Sequence, residues 1–443
     1  MTLSLDTNLK IEAATVPLVA TVAEPEPLFR LARAPKPLAE TLADVQATAD
    51  LPLNQARTLP PEVYTDEAFL KWEIEHVLRP GWLCLAHVSQ VPKAGDFIKL
   101  DLLGEPLVLV RGKDEVVRVL SRVCAHRGAD IMPPGYTYEG QRPCAEAEGP
   151  AGCGHARFFM CPYHFWSFDL EGQLKAAPEM QQAEGFCREA VHLTTFRTEI
   201  WHGWVFVNLD GKAPPLATQL GGMTEDLANW QPADMKVAIY REWDCPFNWK
   251  VLVENFMEAY HHLGAHSQTF QPLMPAQDTW VETERAHYIR VNLPFKAMPA
   301  PNPAVDFPTI SSLREQDQRQ MSVFLGYPGF LLFTGPDRLF WYRIDPLGPD
   351  LSRLVTTMLV PASVTSEPQY AEKIKAADQM LIDFHLEDMR VCTGIQRGLH
   401  ATGYQRGRLS HLDMPVWLIQ RYLAARARGT YPTLDRPAAA AQR

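Results

Sequence analysis

The chain of 443 residues has no apolar run near the roughly 20 residues that a membrane-spanning helix requires. It also has no excess of basic charge. A formal net charge of −10 argues against a nucleic-acid or anionic-membrane partner, because both demand a basic face. No Gly-x-Gly-x-x-Gly follows a strand-like run, so no nucleotide-binding segment is expected. Eight cysteines are too thinly spread for a disulfide framework. Cys84, Cys187, Cys245 and Cys392 read as buried thiols acting as small apolar groups, a usage that fits a reducing cytoplasm. Residues 13–23 are mildly apolar, but Glu12 and Pro17 interrupt them and no basic segment precedes, so a signal peptide is not expected. No internal repeat of useful period is present.

The length allows two or three domains, and 46% hydrophobic residues can fill their cores. Residues 1–57 are rich in Ala, Pro, Leu and Glu with little periodicity, which predicts a mobile arm or a segment packed on another subunit. Apolar spacing at Phe69, Trp72, Ile74 and Leu78 predicts a short helix over 66–78. Short β-rich runs at 105–111, 115–120 and 204–208 predict a small antiparallel domain. A helix is expected over 249–263, ended by Gly264. Strand-like runs at 324–327, 329–334, 339–344 and 353–360 then suggest one antiparallel sheet, and helical spacing returns over 367–399. Strands followed by a long helix imply an α+β fold.

Two half-sites in the first half carry the chemistry. Cys124-Ala125-His126 and Cys161-Pro162-Tyr163-His164 each pair one thiolate with one imidazole. Two Cys on one iron and two His on the other make a Rieske [2Fe–2S] centre, suited to passing single electrons. The same donors could hold structural zinc as Cys2His2, so position alone leaves zinc open. Farther along, Glu258-Ala259-Tyr260-His261 and His266 read as the surroundings of a mononuclear iron. His261 and His266 are five apart and cannot share one face of an ideal helix. Gly264 between them would let His266 project from a turn.

Arg122-Val123-Cys124-Ala125-His126-Arg127-Gly128-Ala129, with Cys161 through Trp166 to Phe168, resembles the Rieske domain of ring-hydroxylating, non-haem iron oxygenase alpha subunits. Asn248-Trp249-Lys250, running through Glu254-Asn255-Phe256-Met257-Glu258 to His261 and His266, is similar to that family's catalytic-iron motif. So are Glu387-Asp388, Gln396-Arg397-Gly398-Leu399 and Gly407-Arg408-Leu409-Ser410. The likeness covers roughly residues 59–431.

The resemblance implies a small antiparallel β Rieske domain over 82–210 and a larger mononuclear-iron domain over 211–431, its central antiparallel sheet flanked by helices. An N-terminal helical segment at 58–81 and a tail at 432–443 complete the division. It implies Cys124, His126, Cys161 and His164 as cluster ligands, and His261, His266 and Asp388 as ligands of Fe(II). Two His and one carboxylate leave positions open for dioxygen and substrate. Glu258 would bridge an iron-site histidine to a Rieske histidine of a neighbouring subunit, in a closed homotrimer. Glutamate here is the choice of members resembling quaternary-ammonium oxygenases. Glu387 is expected to be solvated or to support a ligand from outside, and His262 to stay out of the triad. Trp166 would cover the cluster.

One departure is the long spacing, 34 residues, between His126 and Cys161. The insert at 135–156 contains Cys144, Cys153 and His155, so Cys153-Gly154-His155 is a rival half-site. Cys124/His126 is preferred because Arg127-Gly128-Ala129 follows it, and the insert reads as a Gly/Pro-rich surface loop.

Electrons would come from a separate NAD(P)H-dependent reductase, with or without a ferredoxin, and the substrates would be dioxygen and a small organic molecule. Hydroxylation or oxidative N- or O-dealkylation is favoured slightly over ring cis-dihydroxylation, as in aromatic-compound catabolism. Phe295, Phe324, Phe333, Phe340 and Trp341 are candidates for an apolar pocket, with ordinary core the expected role for most of them. A Rieske electron carrier or a zinc-stabilised binding protein are the competing classes. Either would leave His261, His266 and Asp388 without a purpose.

Overall fold

The computed structural model describes residues 34, 36–138, 141–143, 152–282 and 287–430. Two antiparallel sheets set the architecture. The first has eight strands in the spatial order Leu83–His87, Trp204–Asn208, Thr195–Trp201, Val117–Ser121, Glu105–Arg111, Asp96–Leu102, Cys153–Ala156 and Gln141–Pro143. Side chains alternate across it as strand geometry requires. Val108 and Val110 join a core that also contains Cys124, Cys161 and Trp166, whereas Leu107 and Leu109 join a separate core with Val119 and Val207. A small sheet of Phe159–Met160, Ser167–Phe168 and Leu174–Ala176 closes over the first of these cores.

The second sheet has seven strands: Met235–Cys245, Leu351–Pro361, Leu339–Gly348, Phe330–Thr334, Gln320–Gly326, Tyr288–Pro294 and Trp280–Val281. It too divides two cores. Val323, Leu325, Phe340 and Tyr342 face the helices, while Phe324, Leu332, Leu339 and Trp341 face a core shared with Trp82, Trp204 and Phe206 of the first domain. Four helices frame the outer side: α1 (Leu38–Ala49), α2 (Trp249–Met257), α3 (Tyr370–His400) and α4 (Met414–Ala427). Among the described residues no helix is long and apolar enough to cross a membrane. The α+β expectation holds, with four of the seven strands read from sequence.

Four expectations change. The described end of the supposed arm is ordered: α1 packs on α4, with Val45 and Ala49 in one core with Ile419, Tyr422 and Leu423. Trp417 Nε1 donates to the Leu51 carbonyl (2.9 Å) and Gln420 to that of Arg57 (3.1 Å). Residues 1–33 and the tail lie outside the described residues. The insert is not wholly loop, because its Gln141–Pro143 and Cys153–Ala156 strands extend the first sheet. Cys153 is disulfide-bonded, and Cys187 is exposed rather than buried. The helix from Trp249 stops at Met257 instead of reaching 263, for a reason that lies in the site.

Candidate metal centres

Cys124 and Cys161 each open a tight turn of the same design. In the first, Gly128 N–H donates to the Cys124 carbonyl (3.0 Å) and Cys124 N–H to the Ala129 carbonyl (2.8 Å); in the second, Phe165 donates to Cys161 (3.0 Å) and Cys161 to Trp166 (2.9 Å). Both turns need a left-handed residue at the same place, supplied by Gly128 (φ 74°) and, with a side chain, by Phe165 (φ 57°). Matched turns point the two thiols at each other, and burial together with Cys161 pushes the Cys124 thiol up to about 11. The His126 and His164 rings meet edge to face at 4.8 Å. Trp166 stacks on His126 at 4.6 Å, which excludes water from one side.

His126 Nδ1 is buried and has no hydrogen-bond partner. An orphaned imidazole nitrogen beside two thiols fits a ligand that is itself a metal centre, and two sulfurs with two ring nitrogens suit a [2Fe–2S] cluster. The rival half-site is committed elsewhere: His155 Nδ1 pairs with Asp96 (2.9 Å), and Cys153 is in its disulfide.

The second centre grows from the end of α2. Asn248 caps that helix by accepting from Lys250 N–H (3.1 Å). At its other end Glu258 turns extended (φ −105°, ψ 151°), and this breaks the helix. The turn frees the Glu258 carboxylate to accept from His261 N–H (2.9 Å) while its other oxygen pairs with His261 Nδ1 (2.8 Å). His266 follows in the next turns and pairs through Nδ1 with Glu387 of α3 (2.6 Å), which also accepts from Thr269 (2.8 Å). With both Nδ1 atoms engaged, both Nε2 atoms face Asp388: His266 at 2.9 Å and His261 at 3.6 Å from its Oδ1.

Ligand atoms of His261, His266 and Asp388 lie within 4.8 Å of one another. Asn255 donates to Asp388 (3.3 Å). Burial pushes the Asp388 carboxyl up, but the His266 hydrogen bond and the nearby imidazoles outweigh it and hold it below its ordinary range. Two imidazoles and a carboxylate on one face of space fit a mononuclear iron with open positions.

Glu387 is therefore more than a solvated neighbour of Asp388: it fixes the His266 ring. His262 stays apart, bonded through Nδ1 to the Met274 carbonyl (3.1 Å). A cavity of about 640 Å³ opens onto the triad, lined by Phe256, Phe270, Phe333, Tyr342 and Phe384 among others. Of the five aromatic candidates only Phe333 lines it. Phe324 and Trp341 lie on the opposite face of the sheet, and Phe295 and Phe340 pack in the core on the helix side.

A family model described as the Rieske [2Fe-2S] domain matches residues 81–197, and one described as the ring hydroxylating alpha subunit (catalytic domain) matches residues 232–428. The chain belongs to the Rieske non-haem iron oxygenases. It is 34% identical over 215 residues to the carnitine monooxygenase oxygenase subunit of Escherichia coli, an alignment covering 48% of this chain and 53% of that protein. It thus spans about half the length of that relative. It is 28% identical over 367 residues to the carnitine monooxygenase oxygenase subunit of Acinetobacter baumannii, covering 80% of this chain and 88% of that one. The fold matches a solved quaternary ammonium Rieske monooxygenase with TM-score 0.71 at 24% identity, over 87% of this chain and 98% of the other.

Proposed function

We propose that this chain is the terminal oxygenase component of a system that inserts oxygen from O2 into a small organic substrate, by hydroxylation or by oxidative N- or O-dealkylation. The observation that carries this reading is the convergence of His261, His266 and Asp388 on a 640 Å³ cavity, in a chain that also pairs Cys124/His126 with Cys161/His164. When bound, the cluster supplies single electrons and the ferrous ion supplies positions for O2.

The protein's own part is positional. Glu258 and Glu387 hold the two imidazoles so that Nε2 faces inward, Asn255 steadies Asp388, and the apolar wall keeps water from the reacting carbon. We assign the cluster domain to residues 82–210 and the iron domain to 211–431. Electrons arrive from a separate NAD(P)H-dependent reductase, directly or through a ferredoxin, in the cytoplasm.

Among the described residues Glu258 accepts only from His261, and in the proposed assembly it would also accept from His164 of a second copy. Exposed apolar side chains sit at both ends of that contact: Tyr163 (54%) and Phe165 (56%) beside the cluster, Tyr260 (46%) and Leu263 (50%) beside the iron site. Patches that differ on the two faces favour a head-to-tail ring, and we propose a closed trimer.

Iron and acid-labile sulfide analysis tests the assignment. About three irons and two sulfides per chain are expected, with substrate-dependent O2 uptake when a surrogate reductase is added. Asp388→Ala should lower the count by about one iron and leave the cluster absorbance unchanged. Two irons in the unmodified protein would indicate an electron carrier, and zinc alone would remove the reading altogether.

A further inference from the structure

The cavity above the triad has no cation in its wall. Among the described residues lining it there is neither lysine nor arginine, and its carboxylates, Glu258 and Asp388, are engaged with His261 and His266. Asn255 spends its amide on Asp388, and His262 spends Nδ1 on the Met274 carbonyl. Two further polar side chains stand together on one wall. Tyr342, on the sheet, and His385, on α3 one turn before Asp388, stand with ring centroids 6.3 Å apart.

His385 is 1% exposed and its Nε2 has no hydrogen-bond partner. The Tyr342 hydroxyl likewise makes no hydrogen bond among the described residues. Buried polar groups in folded proteins are nearly always paired, so two uncommitted ones beside a cavity mark a place for a ligand's polar group. Burial draws His385 down to about 4, so it is neutral at physiological pH.

We propose that Tyr342 and His385 form the polar end of the substrate subsite, which takes an uncharged hydroxyl or carbonyl on an otherwise apolar, ring-bearing molecule that lacks a carboxylate. The proposal rests on the oxygenase reading above and narrows its substrate class. Phe270 and Phe384, 5.2 Å apart and tilted at 50°, offer faces and edges to a planar ring. A carboxylate brought to the Tyr342–His385 wall would lose its hydration with no lysine or arginine among the described lining residues to meet it. L-Carnitine carries one, as does the simpler betaine glycine betaine, so this cavity parts company with the carnitine monooxygenase subunits reported above.

Binding to the holoenzyme under argon, followed by calorimetry with naphthalene, 2-naphthol, glycine betaine and L-carnitine, tests the subsite without requiring turnover. 2-Naphthol should bind about tenfold more tightly than naphthalene, the worth of one good hydrogen bond to a buried group. Neither betaine should saturate. Tyr342→Phe, which removes one atom, and His385→Leu should each erase most of the 2-naphthol advantage while leaving naphthalene unchanged; His385→Gln should retain it.

Tighter binding of either betaine than of 2-naphthol would overturn the proposal. So would equal losses for both aromatics in the variants, or no binding of either aromatic. An unmodified protein that binds 2-naphthol as described yet contains no mononuclear iron would overturn the oxygenase reading and leave the subsite standing. O2 uptake driven by L-carnitine would do the reverse.

Discussion

The two iron-site histidines differ in who holds them. His261 is held by Glu258, three residues away on the same turn, and His266 by Glu387, 121 residues away on α3. Carboxylates in this position fix the ring and raise the basicity of the inner nitrogen, and losing one typically costs 10–100-fold in metal affinity. Glu387→Ala should therefore weaken iron binding by about that factor while the cluster spectrum stays intact, measurable by iron titration of the depleted protein. Glu258→Gln should behave differently. It preserves the shape and an acceptor oxygen, so both metals should remain, yet turnover should fall by at least about tenfold because the proposed route between subunits is lost; single-turnover kinetics would show it. That His261, His266 and Asp388 would converge was legible because each sits in a motif of several residues. Glu387 was ambiguous because its adjacency to Asp388 says nothing about which way it points from the helix. Phe324 and Trp341 take the ordinary-core role expected of most of the five aromatics, and Phe333 could not be singled out because the parity of a strand cannot be fixed before its partners are known.

At the level of elements, α2 is anchored through its buried charges. Lys250 (1% exposed side chain) pairs with Glu73 (0%) at 2.6 Å, and Tyr64 donates to Glu254 at 2.6 Å. Burial pushes the Glu254 carboxyl up to about 7, against the lowering by Tyr64 and Lys250 and with help from Asp413 and Glu73. An acid raised on folding contributes stability that is complete below its unfolded pKa and is lost as pH rises through the folded one. The window here runs from about 4.5 to about 7. Glu254→Gln keeps an acceptor for Tyr64 but cannot ionise, so the variant should lose less thermal stability than the parent between pH 5 and 8, as melting curves across that range would reveal. The helix itself was readable from its apolar spacing, but its end was not. Glu258 breaks it to reach His261, a tertiary demand that local propensity does not contain. The strand Met235–Cys245 escaped notice because Arg241 puts a charge at a buried position of an otherwise alternating run, where distant Asp378 on α3 neutralises it.

Over the whole molecule, the two sheets share the core around Trp82, Trp204, Phe324 and Trp341, so the cluster domain and the iron domain do not meet as loosely hinged bodies. The chain's described ends meet as well, through α1 and α4. Length allowed two or three domains and the half-sites pointed to metal chemistry, but neither could say that residues near 45 would pack on residues near 420. Such pairings are set by which apolar faces remain after the sheets have formed. One cost is visible on the surface. Phe165 holds a backbone conformation that its counterpart Gly128 adopts freely, at an expense of about 1–3 kcal/mol. Phe165→Gly should raise the melting temperature of the cluster domain, since it relaxes that strain, and at the same time shift the assembly toward monomers in light-scattering measurements. In the proposed ring, a protein that would be sturdier without this aromatic, yet carries it outward into water, trades solitary robustness for company.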